Sequence, residues 1–104
     1  MKSAIFLASV ERDLRSIFTY IAEASGSISL GRAFVRQLRD HCHKLASLPG
    51  RLGRSRPEIL PDMRSIAYRN YVIFFRYKDD RLVVVDIVEG HRDIDSFFES
   101  EGSA

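Results

Sequence analysis

The stretch Tyr71-Val72-Ile73-Phe74-Phe75-Arg76-Tyr77-Lys78 decides the fold of this chain. Its β-branched and aromatic residues favour extended strands. Two further strand-like segments flank it, Arg64 to Arg69 before it and Arg81 to Glu89 after it. The pairs Arg69-Asn70 and Asp79-Asp80 predict tight turns between the strands, because Asn and Asp tolerate the positive φ that hairpins need. The C-terminal half is therefore predicted to be an antiparallel meander of three strands.

The last two strands of this meander are apolar on both faces. Side chains alternate along a strand, so Val72 and Phe74 point to one side and Ile73 and Phe75 to the other. A sheet with one face in water carries polar residues on that face. Helices on one side cover only one face, so the second face requires either the C-terminal Phe97-Phe98 segment or a second protein.

A short strand and a helix are predicted at the N-terminus. Residues Ala4 to Ala8 form the apolar strand, and Ser9 is predicted to cap the helix that follows. One apolar stripe with helical spacing then runs through Val10, Leu14, Ile17, Phe18 and Ile21. Gly26 marks the end of this helix, because glycine readily adopts the left-handed conformation of a helix C-terminus.

A second helix is predicted to start near Ser27 or Ser29 and to stop at Pro49-Gly50. Its apolar side is expected to comprise Leu30, Ala33, Phe34, Leu38, Cys42 and Leu45. The short link between the helices predicts an antiparallel hairpin. Residues Pro49 to Asp62 hold all three prolines and are predicted to be a loop, either a functional one or an ordered wrap along the sheet edge.

These elements predict one α+β domain spanning residues 1–104. An N-terminal strand and an antiparallel helical hairpin pack on a small twisted antiparallel β-sheet in the order β-α-α-β-β-β, followed by a short C-terminal helix or tail. A chain of 104 residues has room for one core. The N-terminal apolar run is too short to span a membrane and lacks the extended apolar region of a signal peptide, so we expect a cytoplasmic protein.

The charges of the chain are unevenly distributed. Up to Lys78 there are 14 Lys and Arg residues against 6 Asp and Glu, whereas from Asp79 onward there are 2 against 8. This asymmetry indicates either a basic face that meets an acidic partner, with nucleic acid as one option, or ordinary solvated helix faces.

The residue pattern gives little support for metal or covalent chemistry. His41 and His43 are two positions apart, so on a helix they point in nearly opposite directions and cannot share an ion; we expect no metal and no cofactor. A remaining cluster comprises Arg64, His91 and Arg92, whose side chains suit phosphodiester chemistry. The alternative is that Arg92 forms a capping salt bridge with Asp93 at the start of a last helix.

Several motifs resemble the ParE/RelE toxin superfamily from about Leu7 to Phe98, almost the whole chain. They are Asp13-Leu14-x-x-Ile17-x-x-Tyr20-Ile21-Ala22-Glu23, Leu45-Ala46-x-x-Pro49, Gly53-Arg54-x-Arg56-Pro57-Glu58-Ile59, Met63-Arg64-Ser65, Tyr71-Val72-Ile73-Phe74-Phe75-Arg76-Tyr77 and Ile87-Val88-Glu89-Gly90-His91-Arg92-Asp93-Ile94. The order and spacing of the motifs are more specific than any one of them.

The resemblance implies a toxin held inactive by a cognate antitoxin, a ParD-like protein from an adjacent gene, in a hetero-oligomer. Such an antitoxin would cover the second face of the sheet. We expect it to contact apolar side chains, namely Leu14, Phe18, Phe34, Phe74 and Val85.

Two activities occur in this superfamily. ParE-like members inhibit DNA gyrase and are not nucleases, whereas RelE-like members cut mRNA on the ribosome. The catalytic tyrosine of many RelE-like enzymes falls at about Phe98, which has no hydroxyl, so the chain resembles ParE more closely. We expect target contacts from Arg64, His91, Arg92, Phe97 and Phe98. The alternatives are an endonuclease using Arg64, His91 and Arg92, or a non-toxic binding module.

Overall fold

A computed structural model describes residues 3–90 of the chain. Its elements are β1 (Ser3–Phe6), α1 (Ala8–Ser25), α2 (Ile28–Ser47), β2 (Arg54–Ser55), β3 (Arg64–Tyr68), β4 (Tyr71–Lys78) and β5 (Arg81–Glu89). The five strands form one sheet in the order β1-β5-β4-β3-β2. This arrangement confirms the predicted α+β class, the order of the elements and the antiparallel β3-β4-β5 meander.

One strand pairing differs from the predicted antiparallel sheet. The first strand runs parallel to β5, with Ser3 beside Arg81 and Phe6 beside Val84, so the sheet is mixed. Parallel neighbours need a long crossover connection, and the two helices together with the other strands provide it.

The hairpin turns lie where the sequence predicts them. Positive φ occurs at Asp79 (56°) as expected, but in the first turn it occurs at Arg69 (54°) and not at Asn70. The backbone carbonyl of Asn70 instead accepts a hydrogen bond from the amide of Gly90 (2.7 Å). The first turn is thereby tied to the end of β5.

The helices form the predicted hairpin, with Gly26 in the left-handed conformation (φ 71°) and the Ser27 hydroxyl accepting from the Leu30 amide. The N-cap of α1, however, is Leu7 and makes no side-chain hydrogen bond. The predicted cap, Ser9, lies within the helix and its hydroxyl donates to the carbonyl of Val85 on β5 (2.8 Å). A hydroxyl so placed joins the helix to the sheet instead of closing the helix end.

The main core lies between the helical hairpin and one face of the sheet. Its fully buried members come from both helices and from β4 and β5: Val10, Leu14, Leu38, Cys42, Ile73, Phe75, Leu82 and Val84. Gly31 permits the close approach of the two helices. A β-carbon at that position would lie 2.9 Å from the backbone oxygen of Phe18, closer than real contacts allow.

The loop between α2 and β3 is an ordered wrap along the sheet edge, the second of the two predicted possibilities. Its β2 segment pairs with β3, and the Tyr77 hydroxyl accepts a hydrogen bond from the Leu52 amide (3.0 Å). Further along the loop, the Arg56 guanidinium lies over the ring of Phe74, 5.7 Å from its centroid. The loop therefore covers part of the second face of the sheet. The sequence had predicted that the C-terminal segment or a second protein covers this face.

Candidate partner-binding surface

Four of the five residues expected to contact the target lie outside the described residues: His91, Arg92, Phe97 and Phe98. The fifth, Arg64, begins β3. Its Nε donates to the carbonyl of Leu52 (2.7 Å) and its Nη2 to the carbonyl of Gly53 (3.0 Å). Both bonds fix the loop before β2 against the sheet. The structure therefore gives Arg64 a structural task, and the predicted catalytic cluster stays a prediction.

Two of the five residues expected to bind an antitoxin are interior. Leu14 is 2% exposed and Phe74 is fully buried. The first packs between helix and sheet, and the second lies under the Arg56 guanidinium. The structure therefore places these two residues in the interior of the protein, where they expose almost no surface to a second protein.

The other three residues expected to bind an antitoxin are partly exposed, and they lie in different places. Phe18 packs against Gly31 where the two helices cross. Phe34 on α2 contacts Tyr71 on β4, with ring centroids 5.6 Å apart. Val85 is the extra residue of a bulge in β5, opposite Phe74 and Phe75, and its carbonyl accepts a hydrogen bond from the Ser9 hydroxyl. Of the three, Phe34 borders a cleft that is open to solvent.

This cleft has a volume of about 300 Å³ and lies between the end of α1, α2 and the β3–β4 turn. Its lining consists of Tyr20, Ile21, Phe34, Arg69, Asn70, Tyr71 and Glu89. The guanidinium of Arg69 lies 5.8 Å from the Phe34 ring centroid and 5.5 Å from that of Tyr68. Burial, followed by the nearby Glu89 carboxylate, raises the pKa of the Tyr71 hydroxyl. Aromatic walls with an arginine at the rim suit a large apolar side chain of a protein partner.

Large apolar side chains are exposed around the turn that joins the helices. Ile28 is 61%, Tyr20 59% and Leu30 56% exposed. Sequence reasoning missed this surface and placed Leu30 on the buried side of α2. Gly31, one residue later, faces α1, and one residue rotates the side chain by about 100° around a helix axis. The signal that could have revealed this surface is the pair of large apolar residues Tyr20 and Ile28, which lie before and after the helix-breaking Gly26.

The described residues, 3–90, show no group of three or more His, Cys, Asp or Glu side chains that could hold a metal ion. His41 stacks on Tyr68 with centroids 4.3 Å apart, and burial raises the pKa of the Cys42 thiol to about 12, which keeps it protonated. No helix in this part of the chain is long and apolar enough to cross a membrane.

A solved structure with the same fold gives the first comparison. It is titled "Chromosomal ParDE TA system from P. aeruginosa" and matches with a TM-score of 0.69 at 19% identity, covering 86% of this chain and 96% of that one. At this identity the likeness shows that the two chains share a fold. Toxin ParE3 of Caulobacter vibrioides is 25% identical over 85 residues, 82% of this chain and 83% of that protein.

The family of the chain is shown by a match that spans residues 4–94. Residues 4–94 fit the family described as "ParE toxin of type II toxin-antitoxin system, parDE", which is most of the chain. The chain belongs to this family, and the ParE-like interpretation is therefore favoured over the RelE-like one.

Proposed function

We propose that this protein inhibits DNA gyrase and is neutralised by a cognate antitoxin. The observation that carries the proposal is the match of residues 4–94 to the ParE family. The family is defined by a two-component system, so a partner that binds the toxin directly is part of the expectation. The fold supports it with an exposed apolar surface on the helical hairpin.

The toxin acts by binding and not by cutting. Two carboxylates with perturbed pKa values among residues 3–90 are paired with arginines. A hydrogen bond from Arg39 lowers the pKa of Glu11, and one from Arg76 lowers that of Asp62. Arg64, the predicted nuclease residue that the structure describes, is occupied by backbone carbonyls. A catalytic side chain, by contrast, must be free to contact the substrate.

The antitoxin binds the open cleft and the apolar surface beside it. Phe34 from the predicted set and Tyr20 line the cleft, and Ile28 and Leu30 are exposed in the first turn of α2. Exposed apolar side chains in one neighbourhood mark protein interfaces in soluble proteins. Phe18 and Val85, both partly exposed, remain candidate contacts at the margins.

A short induction experiment tests the proposed target in cells. The chain is expressed briefly without antitoxin, and plasmid supercoiling, DNA breaks and the 5′ ends of cellular mRNA are measured from the same cultures. We expect relaxed plasmids and trapped DNA breaks with unchanged mRNA. Codon-registered mRNA cuts with normal supercoiling would replace gyrase inhibition with ribosome-dependent cleavage, and normal growth would indicate a non-toxic binding module.

A further inference from the structure

The outer face of the helical hairpin is polar and basic. Its exposed basic side chains are Arg12, Arg15, Arg32, Arg36 and Lys44, and its exposed acidic ones are Glu23 and Asp40. Exposed Ser16, Thr19 and Gln37 lie on the same helices. The large apolar side chains that are exposed on the hairpin lie near the turn between the helices. Basic and hydroxyl or amide side chains together are the groups that contact nucleic-acid phosphates.

The arginines are spaced so that each helix carries a pair of neighbouring ones. Arg12 and Arg15 are three positions apart on α1, and Arg32 and Arg36 are four apart on α2, so the members of each pair are neighbours. An ion pair between Glu11 and Arg39 holds the two helices side by side. Arg39 lies three positions from Arg36, which places the second pair on the same side of α2 as this ion pair.

Three of these four arginines, Arg12, Arg32 and Arg36, have no charge partner in the part of the chain that the structure describes, and the charge of Arg15 helps to lower the pKa of Glu11. The guanidinium groups of all four form no hydrogen bond and no ion pair within residues 3–90, whereas Arg39, Arg56, Arg64 and Arg76 all do. Arginine is also enriched in protein–protein interfaces, but there it accompanies aromatic residues in a core that is otherwise depleted of charge. A face whose exposed residues are mainly arginine, hydroxyl and amide side chains, with its large apolar residues confined to the region of the turn, therefore fits a polyanion better than a second protein.

We propose that the outer face of the hairpin, carrying Arg12, Arg15, Arg32 and Arg36, binds the phosphate backbone of duplex DNA. A guanidinium group can form two parallel hydrogen bonds to the oxygens of one phosphate, so arginine binds phosphate with more defined geometry than lysine does. The choice of a DNA duplex over RNA rests on the proposed function, because gyrase holds a DNA duplex. The face would let the toxin contact DNA and enzyme together.

Fluorescence anisotropy of a labelled short DNA duplex tests the proposal with the full chain made by cell-free synthesis. If four phosphates are contacted, affinity falls about 100-fold between 50 mM and 200 mM salt. The hairpin variant changes Arg12, Arg15, Arg32 and Arg36 to Gln. The matched control changes the exposed Arg51, Arg54, Lys78 and Arg81 to Gln and loses the same charge. Circular dichroism establishes that each variant is folded, and two double variants, one for each helix, replace the quadruple one if it is not.

The proposal predicts that the hairpin variant loses the salt dependence, by about one unit of slope for each arginine, and that the control retains it. Equal losses in both variants, no binding by the unsubstituted chain at low salt, or tighter binding to an RNA duplex of the same sequence would each overturn it. Because gyrase is not in the assay, DNA binding by a chain that fails to inhibit gyrase would contradict the proposed function alone.

Discussion

Asp13 on α1 accepts a hydrogen bond from the backbone amide of Ile87 on β5 (3.1 Å). Strand β1 ends at Phe6 and pairs with β5 only as far as Val84. Beyond that point β5 would present an open edge, and helix α1 closes it through Asp13 and through the hydroxyl of Ser9. An unpaired strand edge invites pairing with other chains, so these two side chains protect the sheet.

The neighbouring carboxyl of Asp86 makes this junction sensitive to pH. Burial, a hydrogen bond to Asp13 and the charge of Asp13 raise the Asp86 pKa from 3.8 to about 7. The folded state therefore holds a proton that the unfolded chain releases above its lower pKa, and this contribution to the free energy of unfolding declines as pH rises from about 4 to about 7. Asp86→Asn removes the ionisation while keeping a hydrogen-bond donor.

We expect Asp86→Asn to be more stable than the unsubstituted chain at pH 8 by about 1 kcal/mol or more, after allowing for solvent screening of a half-buried pair. At pH 4 the difference should disappear. Urea unfolding across this range measures it, and the comparison between the two proteins cancels the opposite effect of His41, whose pKa is lowered by burial. If Asp86→Asn differed from the unsubstituted chain by the same free energy of unfolding at every pH, the proton proposed for Asp86 would be contradicted.

Arg64→Met tests whether this arginine holds the loop. The substitution keeps the length of the side chain but leaves the carbonyls of Leu52 and Gly53 without their donors. We expect a loss of about 1–3 kcal/mol in the free energy of unfolding. Arg54→Met, at an exposed position on β2, should change it by less than about 0.5 kcal/mol. Equal effects of the two substitutions would show that Arg64 does not fix the loop.

Gly31→Ala tests the helix crossing. Alanine has the higher helix propensity, by about 1 kcal/mol, yet its β-carbon would meet the Phe18 oxygen at 2.9 Å. We expect the clash to outweigh the propensity, with a net destabilisation of about 1–2 kcal/mol. Ser29→Ala in the exposed first turn of the same helix is the control. Thermal unfolding decides, and a stabilised Gly31→Ala would mean that the helices can move apart without cost.

Leu30→Glu tests the surface proposed for the antitoxin. A charge at this exposed position should leave the toxin folded and toxic but should weaken neutralisation by the antitoxin of its own operon about tenfold or more, because burying an unpaired charge is costly. The control is Leu60→Glu, an exposed leucine in the loop. Titration calorimetry measures both affinities. An unchanged affinity of Leu30→Glu would exclude this surface from the interface.

Much of the fold is predictable because local signals agree with it. The β-branched and aromatic residues of Tyr71 to Lys78 and the turn residues at Asp79-Asp80 specify the central hairpin, and Gly26 ends α1 where expected. The parallel placement of β1 is not predictable from its four residues. That pairing depends on where the helical crossover returns the chain, which is a tertiary outcome.

The binding surface is less predictable because burial depends on neighbours that are distant in sequence. Phe74 looks like a docking residue on the second face of the sheet, yet a loop arginine from 18 positions earlier covers it. Leu30 looks like a core residue by its spacing, yet it is exposed at the hairpin end. The charge asymmetry leaves a basic face and solvated helix faces open as alternatives, and the hydrogen bonds and ion pairs show which arginines of residues 3–90 have partners.

Gyrase inhibition is tested most directly with purified components. The chain is incubated with gyrase, ATP and relaxed plasmid, and both supercoiling and covalently trapped linear DNA are measured. We predict that supercoiling stops and cleaved DNA accumulates with increasing toxin, and that a stoichiometric amount of the cognate antitoxin restores supercoiling. Full supercoiling without cleaved DNA, at toxin concentrations well above that of gyrase, would contradict the assignment of gyrase as the target.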